Sequence, residues 1–207
     1  MWLSVLVAIL AGYLLGNLNG AICVSLSMQD DVRSHGSGNA GLTNFVRSYG
    51  ASKSVSVILI DAGKAFLACT LGRFLLDEYG YGLEGAAIAG LAVMLGHDFP
   101  ALLGFKGGKG IMSGLFIALS VDWRIGLIIL FVFVVFYAIS GFVSLGSTLA
   151  ALTFGLSFCL MHHSRPVVMF CGMAMGLLAM YMHRENIGRL VRGEERKTNL
   201  FKKEKSE

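Results

Sequence analysis

Long uncharged apolar segments follow one another along this chain. Residues 2–27 contain no charged side chain, and residues 55–76 contain only Asp61, Lys64 and Arg73. The core of a bilayer takes about 20 apolar helical residues, so segments of this length predict membrane-spanning helices. Further apolar segments cover Gly82–Leu103, Ile111–Val121, residues 125–161 and Pro166–Met182.

The longest and the first of these segments differ from a simple single crossing in length and in position. Residues 125–161 are too long for one crossing, and the Ser- and Gly-rich stretch 140–147 is where a turn is expected, which divides the segment into two helices. The first segment lacks a basic start and a small-residue cleavage site, so it is interpreted as a retained helix rather than a cleaved signal.

The short segment Ile111–Val121 either crosses the membrane or returns to the same side, and positive charge decides between these alternatives. If it crosses, loops 28–54 and 104–110 share one face with the basic tail and carry most of the 17 Lys and Arg residues. If it returns, the tail lies opposite the other basic loops, against the positive-inside rule.

The fold prediction is therefore an all-α integral membrane protein with seven transmembrane helices, the N-terminus outside and the C-terminus cytoplasmic. Residues 1–207 form one polytopic membrane domain, with a basic tail from about 184 to 207.

Composition agrees with this class. The chain is 55% hydrophobic and 14% charged, with a mean hydropathy of +0.69. Soluble domains carry about 25% charged residues, so the composition argues strongly against a water-soluble globular enzyme. The four cysteines fit neither a disulfide framework nor a metal-binding spacing, and are interpreted as packing or lipid-facing residues.

The seven-helix topology places every polar, glycine-rich cluster at the cytoplasmic ends of the helices. The clusters cover residues 33–47, 96–110, 144–147 and 183–186. Glycine-rich backbone followed by the positive end of a helix binds phosphate, and neighbouring Arg and Lys complete an anion site. For Lys106 and Lys109 alone, a topology signal in a turn explains the residues equally well.

Three other features have a simpler interpretation. The segment GFKGGKG resembles a P-loop but lacks the first glycine and the Ser or Thr that holds magnesium, which argues against nucleotide hydrolysis. Asp61 and Lys64 are interpreted mainly as a neutralising pair inside a membrane helix. His162 and His163 are interpreted as interfacial loop residues on the outer face.

Four motifs carry a resemblance to a known family. GSGNAGLTN (36–44) followed by Arg47, GHDFPALLGFKGGKG (96–110), GFVSLGS (141–147) and HRENIGRLVRGEERK (183–197) resemble the conserved regions of the bacterial acyl-phosphate:glycerol-3-phosphate acyltransferase family, PlsY. The resemblance extends from about residue 12 to about residue 197. Ala40, Leu42 and Ala65 depart from the family's usual Pro, Ala and Gly.

The resemblance implies an inner-membrane enzyme of phospholipid synthesis with its active site facing the cytoplasm. It moves a fatty acyl group from acyl phosphate to the sn-1 hydroxyl of glycerol 3-phosphate, giving lysophosphatidic acid and phosphate. The catalytic residues implied are Ser37, Arg47, Lys106, His183 and Asn186. The residues implied for binding phosphate and glycerol are Gly38, Asn39, Thr43, Asn44, Gly107, Gly108, Lys109, Ser144 and Ser147.

No side chain is an obvious general base, because no histidine is followed five places later by an aspartate. An acyl phosphate is already activated, and its phosphoryl oxygen can accept the hydroxyl proton. A substrate-assisted mechanism is therefore favoured, with neutral His183 as the alternative base.

A different class of function stays open at this point. Seven helices with glycine-broken segments and a buried charged pair also suit a transporter or flippase for a phosphorylated metabolite. For the enzyme, the expected partners are glycerol 3-phosphate, acyl phosphate and membrane lipid, with no nucleic acid, metal or cofactor. A functional monomer is compatible with the sequence, which specifies neither acyl-chain preference nor oligomeric state.

Overall fold

The computed structural model describes residues 1–198, and all regular secondary structure in this range is helical. The predicted tail residues Lys202, Lys203 and Lys205 lie outside this range. Within it, the order is α1 Trp2–Gly16, α2 Gly20–Ser27, a 3₁₀ turn Val32–Ser34, α3 Leu42–Tyr49, α4 Ala51–Asp77, α5 Gly82–Asp98, a 3₁₀ turn Ala101–Leu103, α6 Ile111–Val121, α7 Trp123–Ser140, α8 Val143–Met161, α9 Pro166–Met182 and α10 Arg184–Val191.

The first apolar segment is two helices rather than one. α1 and α2 meet at 43° across a break at residues 17–19. Asn19 caps α2, since its side-chain oxygen accepts a hydrogen bond from the Ile22 amide at 3.1 Å. Asn17 accepts from the Leu102 amide at 3.0 Å. Asn19 therefore satisfies an amide that the break leaves without a helical partner, and Asn17 joins the break to the 3₁₀ turn after α5.

Helix lengths only partly match the predicted crossings. Among residues 1–198, four helices are long and apolar enough to cross a membrane, and six crossings result if each of two bent pairs counts as one. α6 is shorter, at about 16 Å. Its first turn is buried beside the end of α5, because Gly110 packs against Met94 and Asp98. The seven-crossing topology stays a prediction.

The expected turn between the two halves of 125–161 falls at Gly141. This residue has φ +74°, a left-handed conformation that ends α7 and favours glycine. α7 faces outward over most of its length, and its last turn carries Ile139 at 79% exposure, as a lipid-facing helix should.

Glycines let α4, α5 and α1 pack with their backbones in contact. A Cβ on Gly72 of α4 would lie 2.3 Å from the Gly85 carbonyl of α5, and a Cβ on Gly96 of α5 would lie 2.2 Å from the Tyr13 carbonyl of α1. Helices in lipid associate through close packing of small residues, because lipid tails give no hydrophobic drive between apolar surfaces. These contacts fix the bundle on which the site is built.

Polar contacts join the helices at the end of the bundle that lies away from the polar, glycine-rich loops. Arg73 donates to the Ser120 carbonyl at 3.3 Å, Arg165 pairs with Glu84 at 3.2 Å, and His162 contacts Asp122 at 3.1 Å. His162 and His163 both lie in the loop between α8 and α9, as expected, with His162 buried against Asp122 and His163 exposed.

The glycine contacts generate a stability prediction with a control on the same helix. Gly72→Ala should lower the unfolding temperature in detergent, because overpacking costs about 1–3 kcal/mol. Gly63→Ala should not lower it and should raise it slightly, since a Cβ there meets nothing within 4 Å and alanine favours the helix. Thermal unfolding of both variants checks this, and equal unfolding temperatures would contradict the close contact between α4 and α5.

Candidate anion-binding site

One cavity of about 430 Å³ gathers parts of all four polar clusters. Four helices begin at its wall, since its lining includes residues from the first turns of α3, α6, α8 and α10: Leu42, Ile111, Val143 and Glu185. Helix N-termini carry partial positive charge and unpaired amide groups. The cavity is therefore suited to an anion.

The loop before α3 is shaped by Asn44. Its side-chain amide donates to the carbonyls of Val32 and His35 at 3.1 and 3.0 Å, and its oxygen accepts from the Ser37 amide at 3.0 Å. Gly36 and Gly38 adopt positive φ in the same loop. Asn44 thus uses its hydrogen-bonding groups to hold Ser37 at the cavity wall.

A second contact joins this loop to the one between α5 and α6. The Arg33 guanidinium pairs with Asp31 at 2.7 Å and donates to the Leu103 carbonyl at 2.9 Å. Two clusters that are far apart in the sequence are therefore held side by side.

The cationic side of the cavity includes Arg47 from α3 and Lys109 from the 104–110 loop. Arg47 donates to the Thr198 hydroxyl, and Lys109 donates to the Asn186 side-chain oxygen. Burial lowers the pKa of Lys109, and the charge of Arg189 lowers it further. An anion bound beside Lys109 would favour its charged form.

The 183–197 motif forms another wall. The Asn186 amide donates to Glu195 at 3.1 Å, and Arg189 pairs with Glu195 at 2.8 Å, so the residues after α10 fold back over the site. His183 Nδ1 lies 2.8 Å from the Ala179 carbonyl. A carbonyl only accepts, so Nδ1 carries the proton and Nε2 keeps a free lone pair.

The first turn of α8 brings two hydroxyls to the cavity. Ser144 and Ser147 both line it and are both largely buried. The Ser144 Oγ has no hydrogen-bond partner within residues 1–198. A buried hydroxyl without a partner costs free energy, so a bound polar ligand is its natural partner.

Asp61 and His97, which form the floor of the cavity, belong to a buried charged network with Lys64. Lys64 Nζ lies 2.7 Å from Asp61 Oδ1, 2.7 Å from His97 Nδ1 and 3.0 Å from the Leu18 carbonyl oxygen. Asp61 and His97 also line the cavity. The Asp61–Lys64 pair is therefore structural, as expected, and one of its members faces the site as well.

The structure brings most of the predicted site residues together. Those that line the cavity are Ser37, Asn39, Thr43, Asn44, Arg47, Lys109, Ser144, Ser147, His183 and Asn186.

Four predicted site residues lie elsewhere. Lys106 and Gly38 are exposed, and neither lines the cavity. Gly107 and Gly108 pack against the end of α5, where a Cβ would come within 2.0 Å of the His97 carbonyl and 2.2 Å of its ring Nε2, respectively. Close packing with α5 accounts for both glycines here. Their assignment to phosphate binding stays a prediction.

Sequence reasoning left Asp61, His97, Arg189 and Glu195 out of the site. His97 stands in a cluster that was singled out, and Arg189 and Glu195 stand in the last motif, so proximity to motif residues was the available signal. For Asp61 the only signal in the sequence was its spacing of three residues from Lys64. That spacing predicts an ion pair but not a position in a cavity wall.

These features define a helical membrane protein with a cavity at one end of its bundle whose Arg and Lys side chains and helix N-termini suit an anion. Comparisons with known proteins agree. A sequence profile described as "Glycerol-3-phosphate acyltransferase" matches residues 6–193, and the chain belongs to this family.

Relatives named glycerol-3-phosphate acyltransferase match over nearly their whole length. One from Thermoanaerobacter pseudethanolicus is 38% identical over 195 residues, which is 94% of this chain and 95% of the relative. One from Paramagnetospirillum magneticum is 37% identical over 206 residues, 99% of each chain.

Two solved structures share the fold. Both are crystal structures of PlsY (YgiH), an integral membrane glycerol 3-phosphate acyltransferase. The glycerol 3-phosphate form has a TM-score of 0.85 and 31% identity, covering 96% of this chain and 100% of that one. The lysophosphatidic acid form has a TM-score of 0.82 and 30% identity, covering 95% of this chain and 96% of that one.

The position of Arg47 in the cavity lining generates a prediction about a substitution that keeps the positive charge. Arg47→Lys should lower kcat/KM for glycerol 3-phosphate about tenfold to hundredfold, because a lysine cannot supply a bidentate fork to phosphate. Arg124→Lys, at the opposite end of the bundle, is the matched control and should retain full activity. Wild-type kinetics in the Arg47 variant would remove this side chain from the site.

Proposed function

We propose that this protein acylates glycerol 3-phosphate at its sn-1 hydroxyl, with acyl phosphate as the donor, and releases lysophosphatidic acid and phosphate. The observation that carries the proposal is the convergence of four helix N-termini, Arg47 and Lys109 on one cavity. Family membership supports glycerol 3-phosphate as the acceptor.

The shape of the site supports acyl phosphate as the donor. Both substrates carry phosphate and one carries a long chain, so the cavity needs cationic and apolar walls together. Phe133, Val143, Ile111 and Met112 provide an apolar wall beside the helix N-termini. A coenzyme A thioester needs room for its nucleotide, and a carrier protein needs a docking surface beyond the membrane plane. Acyl phosphate needs neither of these.

In the proposed reaction the terminal hydroxyl oxygen attacks the acyl carbon and forms a tetrahedral intermediate. The bond from the acyl carbon to the phosphate oxygen then breaks, and the hydroxyl proton passes to the departing phosphate. Arg47, Lys109 and the helix N-termini hold the phosphates and stabilise charge in the transition state. His183 Nε2 has the lone pair required of the alternative base.

Ser37, Asn186, Ser144 and Ser147 are proposed to orient the substrates through hydrogen bonds. Each of them lines the cavity. Lys106 retains its proposed catalytic role only if its side chain turns inward from its exposed position when substrate binds.

A transport function is less well supported. The core between the cavity and the opposite end is apolar, with Ile117 and Phe154 buried along α6 and α8. A carrier needs polar groups along a path to both faces. We therefore retain the enzyme and not the transporter.

The donor assignment is tested by supplying purified protein with labelled glycerol 3-phosphate and either hexadecanoyl phosphate or hexadecanoyl-coenzyme A. We expect lysophosphatidic acid from the acyl phosphate alone, undiminished by a chelator and inhibited by inorganic phosphate. An equal rate with the thioester, or loss of activity with the chelator, would overturn the assignment.

The location proposed is the inner membrane, with seven crossings and the cavity facing the cytoplasm. In a background without Cys23, Cys69, Cys159 and Cys171, Ser37→Cys should be protected from a membrane-impermeant thiol reagent in intact cells, and His163→Cys should react. Both residues are exposed in the structure. Reaction at position 37 from outside would contradict the orientation.

A further inference from the structure

The floor of the cavity differs chemically from its cationic wall. Arg47 and Lys109 offer positive charge and hydrogen-bond donors. Asp61 on the floor offers a carboxylate, which is a poor neighbour for a phosphate because like charges repel. The floor therefore suits a different part of the ligand.

The protonation of the His97 ring follows from its neighbours. Lys64 Nζ and the Asn19 side-chain amide lie 2.7 and 3.4 Å from His97 Nδ1. An ammonium and an amide NH₂ can only donate, so Nδ1 is the acceptor and the ring proton lies on Nε2. Nε2 makes no hydrogen bond within residues 1–198, and the Gly108 backbone packs beside it.

The carboxylate is fixed in a similar way. Asp61 Oδ1 accepts from Lys64 at 2.7 Å and from the Gly20 amide at 3.2 Å. Its Oδ2 remains an acceptor on a residue that lines the cavity. His97 lies beside it, with Nδ1 3.6 Å from Asp61 Oδ1. The floor thus presents one acceptor and one donor, held in place by a buried lysine.

This pairing matches a neutral hydroxyl, which donates one hydrogen bond and accepts others. It does not match a phosphate, which at neutral pH mainly accepts. It also does not suit the attacking hydroxyl, since a donor at the attacking oxygen would oppose its attack on the acyl carbon. Of the groups in glycerol 3-phosphate, the middle hydroxyl remains.

We propose that Asp61 Oδ2 and the Nε2–H of His97 bind the middle hydroxyl of glycerol 3-phosphate, with Lys64 positioning both side chains. The proposal rests on the function proposed above and names the specificity-determining residues of the same site. It assigns the substrate an orientation, with its phosphate at Arg47 and Lys109 and its middle carbon at the floor.

The test compares glycerol 3-phosphate with 3-hydroxypropyl phosphate, which keeps the phosphate and the terminal hydroxyl but lacks the middle one. A site built to bind a hydroxyl discriminates against an analogue without it. The wild-type protein should prefer glycerol 3-phosphate by about tenfold or more in kcat/KM. Equal use of both substrates by the wild-type protein would overturn the proposal.

A variant assigns the preference to the floor. In His97→Phe the ratio of the two kcat/KM values should fall towards one, while inhibition by inorganic phosphate stays unchanged. A merely structural role would lower both values by the same factor, and that result would overturn the proposal. His162→Phe, a buried histidine beside an aspartate at the opposite end, is the control and should keep the wild-type ratio.

A second variant and the activity of the wild-type protein separate failure of the hydroxyl-binding role from failure of the proposed function. If His97→Phe does not fold, Asp61→Asn should lower the same ratio, because an amide replaces the acceptor while the shape is kept. If the wild-type protein acylates neither substrate, the proposed function itself fails. Retained acylation without selectivity would contradict only the hydroxyl-binding role.

Discussion

The buried Lys64 ammonium is the group on which the site depends. A charge inside a membrane bundle is costly unless its hydrogen-bonding groups are satisfied. Its three donors reach Asp61 on α4, His97 on α5 and the Leu18 carbonyl at the break between α1 and α2. One side chain therefore holds three elements in register beneath the cavity, and the break between α1 and α2 supplies a carbonyl that a continuous helix would have used internally.

Above this floor, the backbone at the helix N-termini contributes much of the positive charge around the cavity. Four helices begin around the cavity, and their N-termini add partial positive charge that needs no side chain and loses no side-chain entropy on binding. Arg47 and Lys109 add full charges at the same wall. In the proposed reaction the donor arrives already activated, so binding and charge stabilisation are the main contributions required of such a site.

The sequence predicted the helical segments, the clustering of polar loops and most of the cavity lining, because apolar length and glycine-rich motifs are local signals. It did not predict the break at residues 17–19, since Asn17 and Asn19 read as polar residues at the end of one apolar run. It assigned Gly108 to phosphate binding, which stays a prediction, but it did not predict that this glycine packs against the His97 ring. Long-range contacts of this kind leave no local pattern. The position of Asp61 at the cavity was missed for the same reason, because its spacing to Lys64 explains the pair without reference to α5.

The central claim is that a single cavity holds the phosphate at its cationic wall and the glycerol at its floor. An experimental structure of this protein with glycerol 3-phosphate bound tests it most directly. The account predicts phosphate oxygens within hydrogen-bond distance of Arg47 and Lys109, and the middle hydroxyl between Asp61 and His97. A substrate bound in the reverse direction, or outside this cavity, would contradict it.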